Sequence, residues 1–288
     1  MEGESKKVAT LYVVATPIGN MEDITFRAIR VLKEVHLIAA EDTRWTRKLL
    51  AHYGVSTPTT SYHEHNEEEK AAYLIARLKE GKDVALVTDA GTPGISDPGY
   101  RLVRLAVKEG ITVCAVPGPS AIIAALSVSG LPTDSFLFAG FLPHKRAARR
   151  RRLEELKNKG PITCVLYESP RRLKAALEDM LDVLGGSTEF VVARELTKLH
   201  EELIRGTIES ILGELEKREL RGEVTLVVRI PEPVRPQLDL KEELRGLMKE
   251  GLSLKEAVDR VSRVSGIRRK DAYRAALEIK RETKEGGT

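Results

Sequence analysis

Residues 88–100 (TDAGTPGISDPGY) combine three glycines and two prolines directly after a short apolar run. The glycines allow positive φ angles and a close approach of a ligand to the backbone, and the prolines limit the freedom that binding would remove. The carboxylates of Asp89 and Asp97 could accept hydrogen bonds from a ribose or an amine, and Ser96 could donate or accept one. A simple turn needs fewer such residues, so we predict that this loop binds a ligand.

Three further segments place a proline turn between an apolar run and a helical pattern: residues 15–25 (ATPIGNMEDIT), 116–126 (VPGPSAIIAAL) and 166–172 (LYESPRR). Open α/β sheets bind ligands at the carboxyl ends of their strands, where such turns lie. The first segment has only one glycine, Gly19, which disfavours a dinucleotide-binding G-x-G-x-x-G turn. Ser120 is suited to cap a helix. Taken alone, each segment is also explained by an ordinary turn and helix cap.

Two acidic residues end the apolar run that precedes residues 43–50. Glu41 and Asp42 are placed to supply a general base, with Arg44 and Arg47 close behind them. Local salt bridges between these acids and arginines are the alternative interpretation.

Residues 61–70 (SYHEHNEEEK) raise the question of a metal site. His63 and His65 would share one face of an extended chain. No further ligand is evident, and Asn66 as the N-cap of an acid-rich first turn explains the segment without a metal. We therefore expect no metal.

Short apolar runs alternate with helical patterns over residues 11–230, which predicts an α/β fold with largely parallel sheets. The eight predicted strands are residues 11–16, 35–40, 84–88, 111–116, 135–140, 163–167, 189–193 and 224–229. Most are continuous apolar runs, as expected of strands that are buried on both faces. Apolar stripes predict helices over 67–80 and 171–184, ended by Gly81 and Gly185.

Three prolines within residues 231–237 (PEPVRPQ) predict a linker. After it the pattern is wholly helical, with one helix over 240–250, a second opened by the capping box Ser253-Leu-Lys-Glu256, and a third over about 270–281. Gly266 separates the last two helices, which together resemble a helix-turn-helix. The predicted organisation is an N-terminal tail (1–10), two α/β domains (11–118 and 119–230), a linker (231–239) and a helical basic tail (240–288).

The charge of the 288-residue chain is unevenly distributed, although its formal net value is only +4. Residues 1–234 contain 33 basic and 33 acidic residues, whereas residues 235–288 contain 14 basic and 10 acidic residues. A second basic run is HKRAARRRR, residues 144–152. Such blocks indicate a polyanion partner, and a solvated helix face is the alternative.

Composition excludes several classes of protein. Hydrophobic residues make up 42% and charged residues 31%, which predicts a packed core rather than a disordered chain. Only Cys114 and Cys164 are present, which argues against a disulfide framework or a cysteine zinc site and favours a reducing compartment. No apolar stretch is long enough to span a membrane, and MEGESKK lacks a signal-peptide core. We expect a cytoplasmic protein with no membrane partner.

The chain resembles the tetrapyrrole-methylase superfamily, and within it the bacterial methyltransferases of small-subunit ribosomal RNA, in six motifs that occur in order: TPIGN, AEDTR, SYHEHNE, TDAGTPGISDPG, VPGPSA and YESPRR. The resemblance covers residues 11–229 and the helical tail. It implies two α/β domains of the tetrapyrrole-methylase type, with S-adenosylmethionine in the cleft between them, which agrees with eight strands divided near Gly118. It also implies a homodimer that methylates the ribose 2′-hydroxyl of a cytidine in the 16S rRNA of the 30S subunit.

The resemblance assigns cofactor contacts residue by residue. They lie in the four turns described above: Pro17, Ala90, Gly91, Thr92, Ile95, Ser96, Ser120, Ala121, Tyr167 and Glu168. No motif position gives a settled base for removing the hydroxyl proton. The candidates at the predicted cleft edge are Asp42, Glu168 and Glu195, of which Asp42 is the first choice and Glu195, in the segment ARELTK, is the second.

RNA contacts are expected from basic residues in three places: Arg44, Arg146, Arg149, Arg150, Arg151, Arg152, Arg268, Arg269 and Lys270. Aromatic residues are only 5%, so we expect recognition of the shape of an assembled subunit rather than stacking on unpaired bases. Three other functions stay open, one of them a protein-modifying methyltransferase of the same superfamily. A corrin- or sirohaem-pathway C-methyltransferase of the same superfamily would not require the basic tail, and a non-catalytic RNA-binding protein would not require the intact Gly-Pro loops.

Overall fold

The protein is described by a computed structural model over residues 9–216, 218, 220–232, 240–265 and 268–285. Most of the predicted N-terminal tail, residues 233–239 of the predicted linker, and Gly266 lie outside the described residues. The chain forms two compact units that divide between Pro231 and Glu232.

The first half of the larger unit contains a parallel sheet. Its strands are β1 (Thr10–Val14), β2 (Leu37–Ala40), β3 (Thr59–Ser61), β4 (Val84–Val87) and β5 (Thr112–Val116), in the order β3-β2-β4-β1-β5. The intervening helices are α1 (Phe26–Glu34), α2 (Thr43–His52), α3 (Glu67–Lys79) and α4 (Tyr100–Lys108). Every connection contains one helix, as parallel neighbours require.

The second half contains a five-stranded mixed sheet. Its strands are β6 (Phe136–Phe141), β7 (Ile162–Glu168), β8 (Glu189–Arg194), β9 (Glu202–Thr207) and β10 (Val224–Ile230), in the order β6-β7-β10-β8-β9. The helices are α5 (Ala121–Ser129), which follows β5, and then α6 (Arg146–Lys157), α7 (Pro170–Leu184) and α8 (Ile208–Leu215).

The prediction of largely parallel sheets is correct for the first sheet and wrong for the second. Only β6 and β7 are parallel there, whereas β10 pairs antiparallel with β7 and β8, and β8 pairs antiparallel with β9. A continuous apolar run reports burial on both faces, and it carries no information about strand direction. The eight predicted strands are all present. The two that were missed, β3 and β9, are edge strands with the polar sequences TTS and ELIRGT.

Both sheets are buried on both of their faces. In the first sheet, Val14 and Leu11 belong to apolar clusters on opposite sides. In the second, Leu226 packs among residues of α6, α7 and α8, while its neighbour Val227 packs under α5. Ile18, from the loop after β1, joins that second cluster.

Within its described residues, the smaller unit contains three helices, α9 (Leu240–Lys249), α10 (Leu254–Ser265) and α11 (Arg269–Glu285). They enclose a small core that includes Leu244, Val258 and Ala272. The predicted capping box is confirmed, since the Ser253 N–H donates to the Glu256 carboxylate at 2.9 Å and the Glu256 N–H donates to Ser253 Oγ at 3.4 Å. In the described part of the chain, no helix has the length and apolar character needed to cross a bilayer.

Candidate active site

A cavity of about 620 Å³ lies in the larger unit, where the loops after β4 and β5 face β6 and the end of β7. Cavities of this size commonly hold small-molecule ligands. Its walls are mainly apolar and backbone-exposing, and they are formed by Ile18, Ala90, Gly91, Thr92, Ile95, Ser96, Asp97, Ser120, Ala121, Ile122, Ile123, Phe136, Phe138, Phe141, Tyr167, Glu168, Ser169, Pro170, Ala193, Leu196, Gly222, Glu223, Val224 and Thr225.

The structure brings nine of the ten predicted cofactor residues together on this cavity: Ala90, Gly91, Thr92, Ile95, Ser96, Ser120, Ala121, Tyr167 and Glu168. Pro17 is the exception. It is buried beside the cavity, and the next residue, Ile18, forms the wall instead.

The loop after β4 is fixed by its own backbone. Thr16 and Gly91 exchange two backbone hydrogen bonds of 2.9 and 3.0 Å, which tie this loop to the one after β1. The Gly94 N–H donates to the Pro98 carbonyl at 3.2 Å, so residues 94–98 close into a ring. A Cβ on Gly99 would lie 2.9 Å from the Gly94 nitrogen, so only glycine fits this contact. The loop is therefore largely preformed for binding.

Asp97 projects from this ring as the one aspartate on the cavity wall. The preceding residue, Ser96, has a φ of +62°, a conformation that is costly outside glycine and that fixes where the next side chain starts. Burial raises the pKa of Asp97 to about 7, and the negative charge of Glu41 adds to this rise. A carboxylate with a pKa near neutrality is suited to accept a proton. From its sequence position alone, Asp97 is predicted only to accept a hydrogen bond.

Asp42 and Glu195, the predicted base candidates, do not line the cavity. Asp42 accepts the Arg44 backbone N–H at 2.8 Å and its side chain at 2.7 Å, and these bonds hold the pKa of Asp42 well below its usual range. Burial alone would raise the pKa of Glu195, but the N–H of Glu223 at 2.8 Å and the Lys198 ammonium at 2.9 Å lower it overall. Both carboxylates are thus held in their charged forms by local partners and are poor proton acceptors.

Glu168 and Ser120 line the cavity, but their side chains make different hydrogen bonds from those expected from the sequence. Both carboxylate oxygens of Glu168 accept from Arg172, at 2.7 and 2.8 Å, and the side chain is buried. Ser120 occupies the N-cap position of α5, as predicted, but its side chain makes no capping hydrogen bond. The Ser120 side chain therefore satisfies none of the first peptide N–H groups of α5, and Ala121, Ile122 and Ile123 of that first turn line the cavity.

Residues 10–212 match the family described as Tetrapyrrole (Corrin/Porphyrin) Methylases. The chain belongs to this family. Residues 236–280 match a second description, the RsmI C-terminal HTH domain.

Two relatives extend the similarity of this tetrapyrrole methylase over nearly its whole length. It is 48% identical over 271 residues to the Ribosomal RNA small subunit methyltransferase I of Halalkalibacterium halodurans, covering 92% of this chain and 93% of that protein. It is also 48% identical over 279 residues to the protein of the same name from Pseudomonas aeruginosa, covering 93% of this chain and 97% of that one. The chain is a methyltransferase.

A solved structure with the same fold is the uroporphyrin-III C-methyltransferase of Thermus thermophilus in complex with S-adenyl homocysteine. The TM-score is 0.52 and the sequence identity 21%, with 76% of this chain and 96% of that chain covered.

One arginine in the basic run of this methylase is buried in the fold. Arg149 is only 6% exposed, and its guanidinium binds the buried Asp179 at 2.6 and 2.7 Å, so Arg149 is withdrawn as an RNA contact. The neighbouring arginines also have acidic partners: Arg146 binds Asp179, Arg150 binds Asp182, and Arg152 binds Glu155. Arg151 is exposed.

The remaining predicted RNA contacts of the methylase lie on its surface. The Arg44 side chain is 85% exposed although it pairs with Asp42, and that of Arg268 is 86% exposed beside Asp271. Arg269 pairs with Asp259 at 2.5 Å, and Lys270 is exposed.

His63 and His65 of the methylase have ring centroids 6.0 Å apart. No group of three or more histidine, cysteine, aspartate or glutamate side chains able to hold a metal ion occurs among the described residues. Asn66 begins α3 as predicted, but its amide binds the His63 N–H and Ser61 instead of capping the helix.

Proposed function

We propose that this protein transfers a methyl group from S-adenosylmethionine to the ribose 2′-hydroxyl of a cytidine in the 16S rRNA of the small ribosomal subunit. The observation that carries this proposal is the convergence of the motif turns on one cavity, in a chain that is 48% identical to proteins named Ribosomal RNA small subunit methyltransferase I. The cytidine and the 2′-hydroxyl follow from the resemblance of the six motifs.

The cavity is chemically suited to S-adenosylmethionine. Peptide N–H groups at the start of α5 suit its carboxylate, and the apolar side chains of Ile18 and Ile122 suit its adenine. When bound, this cofactor supplies a methyl group on a positively charged sulfur. The relative of the same fold that was solved with S-adenyl homocysteine supports this choice.

The chain's own residues must then hold the hydroxyl in line with the methyl group, exclude water, and accept the hydroxyl proton. We assign Asp97 as the acceptor of the hydroxyl proton. Asp97 lines the cavity and its pKa is raised, whereas local partners lower the pKa values of Asp42 and Glu195. Tyr167 and Phe138, whose ring centroids are 5.1 Å apart, supply an apolar wall that excludes water.

The RNA would be held through its phosphates by basic side chains at the surface. Eight of the nine predicted candidates remain after Arg149 is withdrawn: Arg44, Arg146, Arg150, Arg151, Arg152, Arg268, Arg269 and Lys270. The resemblance further supports a cytoplasmic homodimer that acts on assembled 30S subunits, and no metal is required for the reaction.

The proposal is tested by methyl transfer from labelled S-adenosylmethionine to unmodified 30S subunits, with free 16S rRNA and a tetrapyrrole precursor in parallel. We expect label in a ribose-methylated cytidine from 30S subunits. Label in the tetrapyrrole alone would favour the C-methyltransferase alternative, and binding of RNA without any transfer would favour the non-catalytic alternative.

Removal of residues 235–288 is expected to weaken binding to 30S subunits and to reduce its salt dependence. Each lost phosphate contact should lower the slope of log affinity against log salt by roughly 0.7–0.9. Binding of S-adenosylmethionine is the control and should not change, because every cavity residue precedes residue 226. Unchanged affinity and slope would mean that the helical unit does not bind RNA.

A further inference from the structure

The surface of α2 has a composition that the cofactor site does not explain. Its buried residues are Thr46, Leu49 and Leu50, so the opposite side faces solvent. That side carries Trp45, which is 51% exposed and is the only tryptophan in the chain. An indole of this size is usually buried in a core or in an interface.

The Trp45 ring is held in place rather than left free. Its Nε1–H donates to the Asp89 carbonyl oxygen at 3.1 Å, and the Asp42 backbone N–H donates to the Asp89 carboxylate at 3.0 Å. These two bonds attach the start of α2 to the residue directly before Ala90, which lines the cavity. The indole is therefore a fixed, half-exposed aromatic surface next to the active-site loop.

Cationic side chains accompany this ring along α2, although one of them, Arg44, pairs with Asp42 just before the helix. Lys48 Nζ lies 5.2 Å from the indole centroid, and Arg44 and Arg47 are exposed on the same helix. No acidic residue occurs within α2 itself, where the sequence is TRWTRKLLAH. An aromatic face among cations is how proteins bind unpaired nucleotides, since the ring stacks on a base while the cations contact the flanking phosphates.

We propose that Trp45 stacks on an unpaired RNA base next to the nucleotide that enters the cavity, with Arg47 and Lys48 contacting the adjoining phosphates. This inference rests on the proposed function, because it takes RNA as the substrate. It also modifies the expectation of shape recognition, since one fixed indole provides base stacking even where aromatic residues are scarce.

The first test compares full-length variants for equilibrium binding to unmodified 30S subunits over a series of salt concentrations. Trp45→Leu should raise Kd roughly 5- to 150-fold at every salt concentration, with an unchanged salt slope, because it removes a stack and no charge. Trp45→Phe should retain most of the affinity. Arg47→Gln should instead lower the salt slope by about 1.

The second test uses the wild-type protein, so it does not depend on whether a variant folds. Because Trp45 is the sole tryptophan, its fluorescence reports directly on this ring. Protein-free 16S rRNA should quench the emission, whereas inorganic polyphosphate, which has charge and no bases, should not. Equal quenching by both polyanions, or no quenching at saturating RNA, would overturn the proposal.

Three binding results would also overturn the proposal. Trp45→Leu could bind 30S subunits with wild-type affinity, or Trp45→Leu and Trp45→Phe could lose equal affinity. Trp45→Leu could also lose S-adenosylmethionine binding in parallel, which would indicate a structural role. The failure of the proposed function is distinct. In that case the wild-type protein itself transfers no methyl group to 30S subunits.

Discussion

Replacement of Asp97 by asparagine is expected to lower the rate of methyl transfer by about 10²–10⁴-fold, the contribution typical of a positioned general base. Asparagine keeps the size of the side chain and removes only its ability to accept a proton. The loss should fall on kcat, with little change in the affinity for S-adenosylmethionine. Single-turnover transfer to 30S subunits, with cofactor binding measured by titration, separates these quantities.

Two matched variants serve as controls for this assignment. Asp42→Asn and Glu195→Gln also neutralise carboxylates near the same loops, but both residues lie outside the cavity wall. If either control variant lost more activity than Asp97→Asn, that control residue, and not Asp97, would be the proton acceptor. A loss of cofactor affinity in Asp97→Asn at an unchanged rate would make Asp97 a cofactor contact instead.

The pH dependence gives the same assignment an independent test. With a pKa of about 7, Asp97 is mostly protonated below neutrality and cannot accept a proton, so kcat/KM should rise about tenfold per pH unit and level off above this value. Burial is the main cause of the raised pKa and the charge of Glu41 is the second. Glu41→Gln should therefore move the rising limb to lower pH.

Stability provides a check that the asparagine variant is folded. The pKa of Asp97 in the folded protein lies above its ordinary value of 3.8, so the wild-type protein binds an extra proton relative to its unfolded chain and loses stability as pH rises between the two values. Asparagine carries no charge and avoids this loss. At pH 8, Asp97→Asn should unfold at the same temperature as the wild type or higher.

Local signals in the sequence were sufficient to predict the strands of the core and the walls of the cavity. Strands such as β4, VALV, are buried on both faces and so appear as continuous apolar runs. The turns that follow them contain glycine and proline at closely spaced positions, which predicted ligand binding there, and the resemblance to the tetrapyrrole methylases named the nine residues that line the cavity. The sequence does not indicate that the strands of the second sheet run in mixed directions, because parallel and antiparallel strands bury the same side chains.

The contacts that decide which carboxylates and arginines are functional candidates differ in how far apart the two partners lie along the sequence. Arg44 follows Asp42 by two residues, so their pairing was visible in the sequence and was weighed there as the alternative to catalysis. The rise in the pKa of Asp97 depends mainly on burial and secondly on Glu41, which is 56 positions away along the chain and comes close only through the sheet. Asp179 lies 30 positions after Arg149 on another helix, so the burial of that pair could not be anticipated.

Asp179→Ala is expected to lower the free energy of unfolding by about 3–5 kcal/mol, because it leaves the buried guanidinium of Arg149 without its counter-charge. The Asp179 side chain is 1% exposed and accepts from Arg149 Nε at 2.7 Å and Arg146 Nε at 3.0 Å. Denaturation in urea should show a lower midpoint with an unchanged slope. Because the pair is buried between α6 and α7, it stabilises the fold and does not contact RNA. Asp179→Ala should therefore lower stability without altering the salt slope of RNA binding.

Glu155→Ala is the matched control, since it breaks the pair with Arg152 at 3.0 Å on the exposed side of the same helix. Surface pairs of this kind contribute about 0–1 kcal/mol, so the two variants should differ several-fold in their cost. Replacing both buried partners, as Arg149→Met with Asp179→Leu, should recover much of the stability, because no unpaired charge is left in the interior. Equal costs for Asp179→Ala and Glu155→Ala would mean that Arg149 is solvated in solution. Arg149 would then return to the set of RNA contacts, and the whole basic run would again be a candidate polyanion surface.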